Sequence, residues 1–362
     1  ECDAGDGDDI IHLPWGVYTL TSGVTGEDQA ASGDLDILTN IYIFGSANGM
    51  YNTTILMQAT DRVFHVLNGS KLHLEQLGVQ GGDVNTGGGG GVFVENGSLE
   101  LDYTVFKQNY ATGIDAGDVG GALNIGLNSS LLADDCLFTD NGAHDGGAIY
   151  HNGTTSTINR CLFQDNSALW GGAIRNAGGT ITVENSTFSQ NEAASLGGAF
   201  SNDASAVLRF CTLVGNTAAF YAALHDTASG TYQIQASILA DNNVPLSTSA
   251  EYRQCSDAGA YVSTSYNLLD DDSCDFGATG NLYNTDPRLL PLGDYGGVTW
   301  THALRFDSPA IDSYIGAGCT PKDQRGENRP KDGDDDLIAD CDRGAFETEA
   351  HYSANYLPLI LR

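Results

Sequence analysis

Apolar and polar residues alternate over short stretches along the middle of this chain. Thr180-Ile181-Thr182-Val183 and Ser156-Thr157-Ile158 show the pattern, in which every second side chain turns to the same face. Val63-Phe64-His65-Val66 and Leu72-His73-Leu74 begin it earlier. No amphipathic helical stripe of roughly ten residues occurs between residues 60 and 245. Gly and Asn punctuate the runs, as tight turns require. The predicted elements are therefore short strands joined by turns.

One phrase recurs with these strands, about 25 residues apart. Half of it is a small-residue block: Gly120-Gly121-Ala122-Leu123, Gly146-Gly147-Ala148-Ile149, Gly171-Gly172-Ala173-Ile174, Gly197-Gly198-Ala199-Phe200 and a worn Ala222-Ala223-Leu224. Gly87 to Gly91 is its glycine-rich forerunner. The other half is an apolar residue followed three later by Asn. It is seen as Phe106/Asn109, Phe138/Asn141, Phe163/Asn166, Phe188/Asn191, Leu213/Asn216 and Leu239/Asn242. A repeat of this length is one supersecondary unit per period, and two or three strands with their turns fill it. That is one coil of a parallel β-helix, with strands stacked about 4.8 Å apart. The same position in successive coils is then a vertical neighbour. The Asn residues are expected to form an inward ladder, each donating to one neighbour and accepting from the other, beside a stacked Phe column. The Gly-Gly pair is expected at a bend with positive φ or close backbone approach.

Four segments follow along the chain. Residues 1–60 are lead-in strands without the phrase, 61–245 are regular coils, and 246–349 are an irregular C-terminal cap region. Residues 350–362 are a polar hinge and an apolar strand, Tyr356-Leu357-Pro358-Leu359-Ile360-Leu361.

The charge balance narrows the partners. Forty-seven acidic residues face 15 Lys and Arg, a formal charge of −32 over 362 residues. Nucleic acid and anionic membranes are disfavoured, and cations such as Ca²⁺ are favoured. An acidic, solvated surface that resists aggregation explains the same numbers. No apolar run reaches membrane-spanning length. A start at Glu1-Cys2-Asp3 with no leader is expected of a mature, exported product.

Cysteine usage agrees. Cys255/Cys274 and Cys319/Cys341 flank irregular polar loops and are expected as disulfides. Cys136, Cys161 and Cys211 recur two residues before the Phe/Leu column, with Ser186 in the missing coil, and are expected as buried thiols. Sequons at Asn52, Asn68, Asn96, Asn128, Asn152 and Asn185 are possible glycosylation sites, although a chain so rich in Asn, Ser and Thr produces several by composition.

The Gly-Gly-Ala-Ile and Phe-x-x-Asn phrase resembles the repeat of polymorphic outer-membrane-protein β-helices. Across the whole chain, Leu13 to Thr21, Gly26 to Ile37, Asp286-Pro287-Arg288-Leu289, Thr301-His302-Ala303-Leu304, Ser308-Pro309-Ala310-Ile311-Asp312, Asp323-Gln324-Arg325-Gly326 and Cys341-Asp342-Arg343-Gly344-Ala345-Phe346-Glu347 resemble the choice-of-anchor Q family of secreted bacterial proteins. The resemblance implies an all-β fold, a right-handed single-stranded parallel β-helix at the cell surface, and no single biochemical activity. The Cys-x-Leu-Arg-Glu-Ala-like segment with which such proteins often begin is absent from the chain.

The chain carries no complete catalytic constellation. Asn284-Thr285-Asp286 matches one element of polygalacturonase-like sites, but no Gly-His-Gly or Arg-Ile-Lys follows, and the letters are read as coincidence. The eight His lack metal-ligand spacing, and no nucleophile elbow or phosphate loop occurs. Asp332, Asp334, Asp336 and then Asp340 alternate as calcium ligands do, yet Leu337 and Arg343 stand where an EF-hand has Gly and Glu, so Ca²⁺ binding and a solvated acidic turn both stay open. Asp3, Asp6, Asp8 and Asp9 form a weaker group. The expected function is a secreted, non-enzymatic surface protein. It would be either a fibre subunit that polymerises head to tail through Tyr356, Leu357, Leu359, Ile360 and Leu361, or an adhesin that binds glycans, with a polysaccharide lyase or hydrolase behind both. That strand could equally fold back on its own coil or belong to an anchoring signal.

Overall fold

The computed structural model describes residues 8–21, 33–46, 52–113, 117–227, 229–244, 254–256, 260–262, 265–274, 276–316 and 318–349. Among them the only regular elements are strands, and these form a parallel β-helix of three long sheets. Two sheets have ten strands and one has eight. Sheet 1 contains five-residue strands such as Thr180–Glu184, sheet 2 three-residue strands such as Thr187–Ser189, and sheet 3 three-residue strands such as Ile174–Asn176. Each coil passes from sheet 3 through sheet 1 to sheet 2. A short corner segment then returns it to sheet 3.

The alternation sets which side chains enter the core. In Thr180–Glu184 the buried residues are Ile181 and Val183, and the register places them on Ala206 and Leu208 of the next coil. Burial of each large apolar side chain stabilises the coil by roughly 1.5–3 kcal/mol. Phe106, Phe138, Phe163 and Phe188 stack with centroids 5.3, 4.8 and 4.7 Å apart and nearly parallel planes.

Beside them runs the Asn ladder. Asn141 donates one amide hydrogen to Asn166 Oδ1 at 2.9 Å and the other to the Phe106 carbonyl at 3.0 Å. Its own Oδ1 accepts from the backbone and side-chain nitrogens of Asn109, both at 3.1 Å. Asn166, Asn191 and Asn216 repeat the arrangement, and Asn242 ends it. Two donors and two acceptor sites per amide are all used, so a fully buried primary amide carries no unmet demand.

The Gly pair does two jobs. Gly120, Gly146, Gly171 and Gly197 have φ of 64–68°, the left-handed region. The second Gly permits close approach: a Cβ on Gly147 or Gly172 would lie 2.2 Å from a carbonyl oxygen of the next coil. A different corner uses positive φ without glycine. Asp135, Arg160, Asn185, Phe210 and Ala236 occupy it in successive coils at φ between 47° and 53°. The residue after each turns inward, giving the column Cys136, Cys161, Ser186, Cys211 and Ser237. There backbone N–H groups donate to the Sγ or Oγ of the next coil. The three thiols are free and buried, and burial pushes Cys211 up to about 12. The disulfides Cys255–Cys274 and Cys319–Cys341 are both formed.

The coils extend beyond the segment that carries the phrase. Asp9–His12, Gly16–Leu20 and Leu35–Ile37 already pair in register with later strands, and Leu268–Leu269 continues sheet 2 past residue 245. The C-terminal region has two parts. Phe276, Tyr283 and the Cys255–Cys274 disulfide pack against the last coils of the core. Residues 286–349 instead lie along the outer face of sheet 2, where Gln324 accepts from Thr187 at 2.6 Å, Thr299 donates to the Arg160 carbonyl at 3.1 Å and Ala345 N donates to Thr212 at 2.9 Å. The fully buried Arg329–Glu347 pair, 2.8 Å apart, locks this buttress. The Asp323-Gln324-Arg325 and Asp342 to Glu347 segments are thus buried structural joints.

The ladder generates a graded prediction. Asn166→Ala orphans two N–H donors of Asn141 and the Phe138 carbonyl, and should cost about 3–5 kcal/mol in denaturant unfolding. Asn242→Ala, at the half-buried end where water can replace the amide, should cost less than half as much. Equal costs would contradict the ladder's role.

Candidate functional site

The return corner shapes a surface cleft. Asp83 and Tyr110 pair in register, Tyr110, Gly142 and Ser167 are joined by single bridges, and Ser167, Glu192 and Thr217 continue the column. Gly142 contributes no side chain, and a Cβ there would meet the Tyr110 ring at 3.2 Å and Ser167 Oγ at 3.3 Å. The gap opens a shallow cleft of about 530 Å³ lined by Tyr110, Thr112, His144, Ser167, Leu169 and Glu192. Tyr110 stays partly exposed, and His144 Nδ1 lies 2.8 Å from Asp145 Oδ1. Burial raises the Asp145 carboxyl, against the pull of His144 and Arg175. An aromatic face ringed by a carboxylate, hydroxyls and an imidazole can bind a polar ligand with an apolar face.

Next to the cleft, the outward positions of sheet 3 hold a polar network. The Arg175 guanidinium lies 5.0 Å from the Trp170 ring, pairs with Asp203 and donates to Ser201 Oγ at 2.5 Å. Ser201 Oγ is 2.9 Å from His225 Nδ1. This is a hydroxyl–imidazole pair, but Ser201 is fully buried and the group beside it is a cation. Burial and then Arg175 press His225 down to about 4, so the imidazole is neutral at pH 7. On the inner side of the same sheet, His151, Asn176, Asn202 and Asp226 form a second buried ladder with spacings of 2.8, 2.8 and 3.0 Å. Both columns went unread in the sequence because their residue types change from coil to coil.

The acidic turn gathers differently from its spacing. Asp332 and Asp334 bring carboxylate oxygens within 4.8 Å of each other and of Asp312, while Asp336 and Asp340 are not part of that group. Asp336 Oδ1 instead accepts from Ile338 N at 2.8 Å. Asp312 accepts from Gly333 and Asp334 N–H at 2.7 and 2.9 Å. Burial pushes its carboxyl to about 6, opposed by those bonds and reinforced by Asp334 and Asp332. Asp312 was missed because it lies 20 residues upstream of the run.

The remaining expectations divide. Asn68, Asn96 and Asn128 are exposed at turns with φ of 56–58°, and Asn52 and Asn152 are half-buried. Asn185 is buried, accepts from Thr320 at 2.8 Å and donates to Asn159 at 3.1 Å, which leaves no room for a glycan in the folded state. Cys2, Asp3, Asp6 and the Tyr356 to Leu361 strand lie outside the described residues. Asn284-Thr285-Asp286 falls after the last coil strand.

Repeated in-register coils, inward ladders and parallel pairing define a β-solenoid protein. More particularly, the chain belongs to the right-handed β-helix family: the model of the right-handed beta helix region matches residues 62–244. That match supports the repeat and stops short of the C-terminal segments on which the narrower resemblance rests. No curated protein matches the chain, and no solved structure does. Among the described residues, no helix is long and apolar enough to cross a membrane.

The calcium expectation, now carried by Asp312, Asp332 and Asp334, has a direct check. Adding CaCl₂ to chelator-stripped protein should raise the melting temperature, Asp334→Ala should remove the difference, and Asp340→Asn should preserve it. A melting curve unchanged by calcium rejects the site.

Proposed function

We propose that this β-helix is a secreted, non-catalytic structural protein of the cell surface whose copies join head to tail into an extracellular fibre. The observation that carries the reading is the difference between the two ends of the coil. At one end, Asp9–His12, Gly16–Leu20 and Leu35–Ile37 are the outermost described strands of their sheets, with Ile10, Trp15 and Val17 exposed at 63, 77 and 64%. At the other, Phe276, Tyr283 and a disulfide pack against the last coils. An outermost strand offers a row of N–H and C=O groups to another chain. The apolar Tyr356 to Leu361 segment of a second copy has the composition to add to it as a strand. A head-to-tail contact that does not close yields a filament. Two disulfides support an oxidising, extracytoplasmic setting.

The test is negative-stain microscopy with sedimentation. The full chain should form filaments, and deletion of residues 354–362 should leave a folded monomer. A full chain that sediments as a monomer, or a truncated one that still polymerises, refutes the assembly.

The cleft favours a second reading, that of a glycan-binding surface protein. A sugar could lay its C–H face on Tyr110 and place hydroxyls against Glu192 and Ser167. Tyr110→Ala should weaken binding to an immobilised glycan panel by at least about tenfold, the scale of one stacking contact. Identical binding by the variant removes the cleft from the account.

A further inference from the structure

A second cluster of donors lies near the first coils, on the outer face of sheet 3. Asp36 and His65 are register partners on adjacent strands, outward of the core residues Ile37 and Val66. Outward positions are normally wet, yet Asp34, Asp36 and His65 are only 8, 8 and 5% exposed. The His65 ring stacks on Phe93 at 4.9 Å and 11°, which fixes its plane. In that orientation Nδ1 stands 3.7 Å from Asp36 Oδ1, and Nε2 stands 3.4 Å from Glu95 Oε2. One donor atom from each of Asp34, Asp36 and His65 lies within 4.8 Å of the other two.

We propose that Asp34, Asp36 and His65 form a binding site for a divalent transition-metal ion of the Zn²⁺ type. Two ligands of a tetrahedral ion with bonds near 2.1 Å stand about 3.4 Å apart, and His65 Nδ1 and Asp36 Oδ1, 3.7 Å apart, are close to that spacing. The donor set is two carboxylates and one imidazole, which suits zinc and its neighbours. Calcium takes six to eight oxygens and gains little from an imidazole. The local charge also calls for a cation. Asp34, Asp36, Asp61 and Glu95 surround His65 and a single Arg62. Arg62 Nε sits 3.3 Å from Asp34 Oδ2 and its guanidinium 5.2 Å from the Phe93 ring. Arg62 engages Asp34 through Oδ2. The Asp34 carboxyl is pushed to about 7, first by burial, with Asp61 and Asp36 adding to it and Arg62 opposing. A bound dication would relieve that crowding. Stacking on Phe93 fixes the plane of the imidazole, and Glu95 Oε2, 3.4 Å from Nε2, stands on the side where an outer carboxylate orients a ligating histidine.

The experiment is isothermal titration of the full chain, stripped with chelator, with ZnCl₂ and separately with CaCl₂. Zinc should bind at this site and raise the melting temperature. Asp36→Asn and His65→Gln should each weaken it at least about tenfold, the scale of a lost metal contact. Asp334→Asn, in the distant acidic turn, should leave zinc binding intact. Calcium should not compete. Circular dichroism of each variant checks folding, and Asp34→Asn replaces any variant that fails it. Zinc binding that survives all three substitutions in folded protein, or no zinc binding to the wild type, overturns the site. Equal competition by calcium overturns the metal class.

Discussion

The structure depends on one constraint: each residue in a coil meets its own counterpart in the next. Vertical neighbours at strand spacing must tolerate being stacked on themselves, and few side chains gain from it. Phe gains by offset stacking. Asn gains because one amide offers two donors and one doubly accepting oxygen, which suits a chain of identical groups. Gly gains by allowing carbonyls of the next coil to approach where a Cβ would collide. The core column, the ladder and the bend are three answers to the same demand, and the acidic excess is held outside it. Where acids do stack, the tension is visible: Asp102 lies between Glu75 and Asp134, and burial with those charges pushes its carboxyl to about 6.

This explains what could be read from the letters. A column that repeats its residue type announces itself, so the Phe, Asn109 to Asn242 and Gly columns, the period and the inward cysteines were legible. A column that repeats only a conformation does not. The left-handed corner passes through Asp135, Arg160, Asn185, Phe210 and Ala236, each at a cost of roughly 1–2 kcal/mol that neighbouring coils offset. Asp135 and Asn185 are types that favour such a bend, but Arg160, Phe210 and Ala236 are not, so the column shows no repeating signal. The ladder from His151 to Asp226 was hidden in the same way. The first coils lack the Gly-Gly-Ala phrase, and the register of Leu35–Ile37 on Phe64–Val66 had to be seen.

The candidate sites are less legible because they lie where the repeat is broken. Gly142 breaks a column of side chains and opens a cleft. Asp312 joins Asp332 and Asp334 from 20 residues away. The buttress of residues 286–349 sits on the outer face of sheet 2, and its charged residues include hydrogen-bonded joints such as Arg329 with Glu347. The regular coils supply a rod of stacked strands, and the candidate sites sit at its flank and ends.

That rod stands or falls with the buried amides. Hydrogen exchange of the Asn side-chain NH₂ groups, followed by NMR, reads them one by one. The protons of Asn141, Asn166 and Asn191 should exchange only as slowly as the molecule unfolds globally, while those of exposed Asn68 and Asn96 exchange at once. Ladder amides that exchange as fast as the exposed ones would contradict the account.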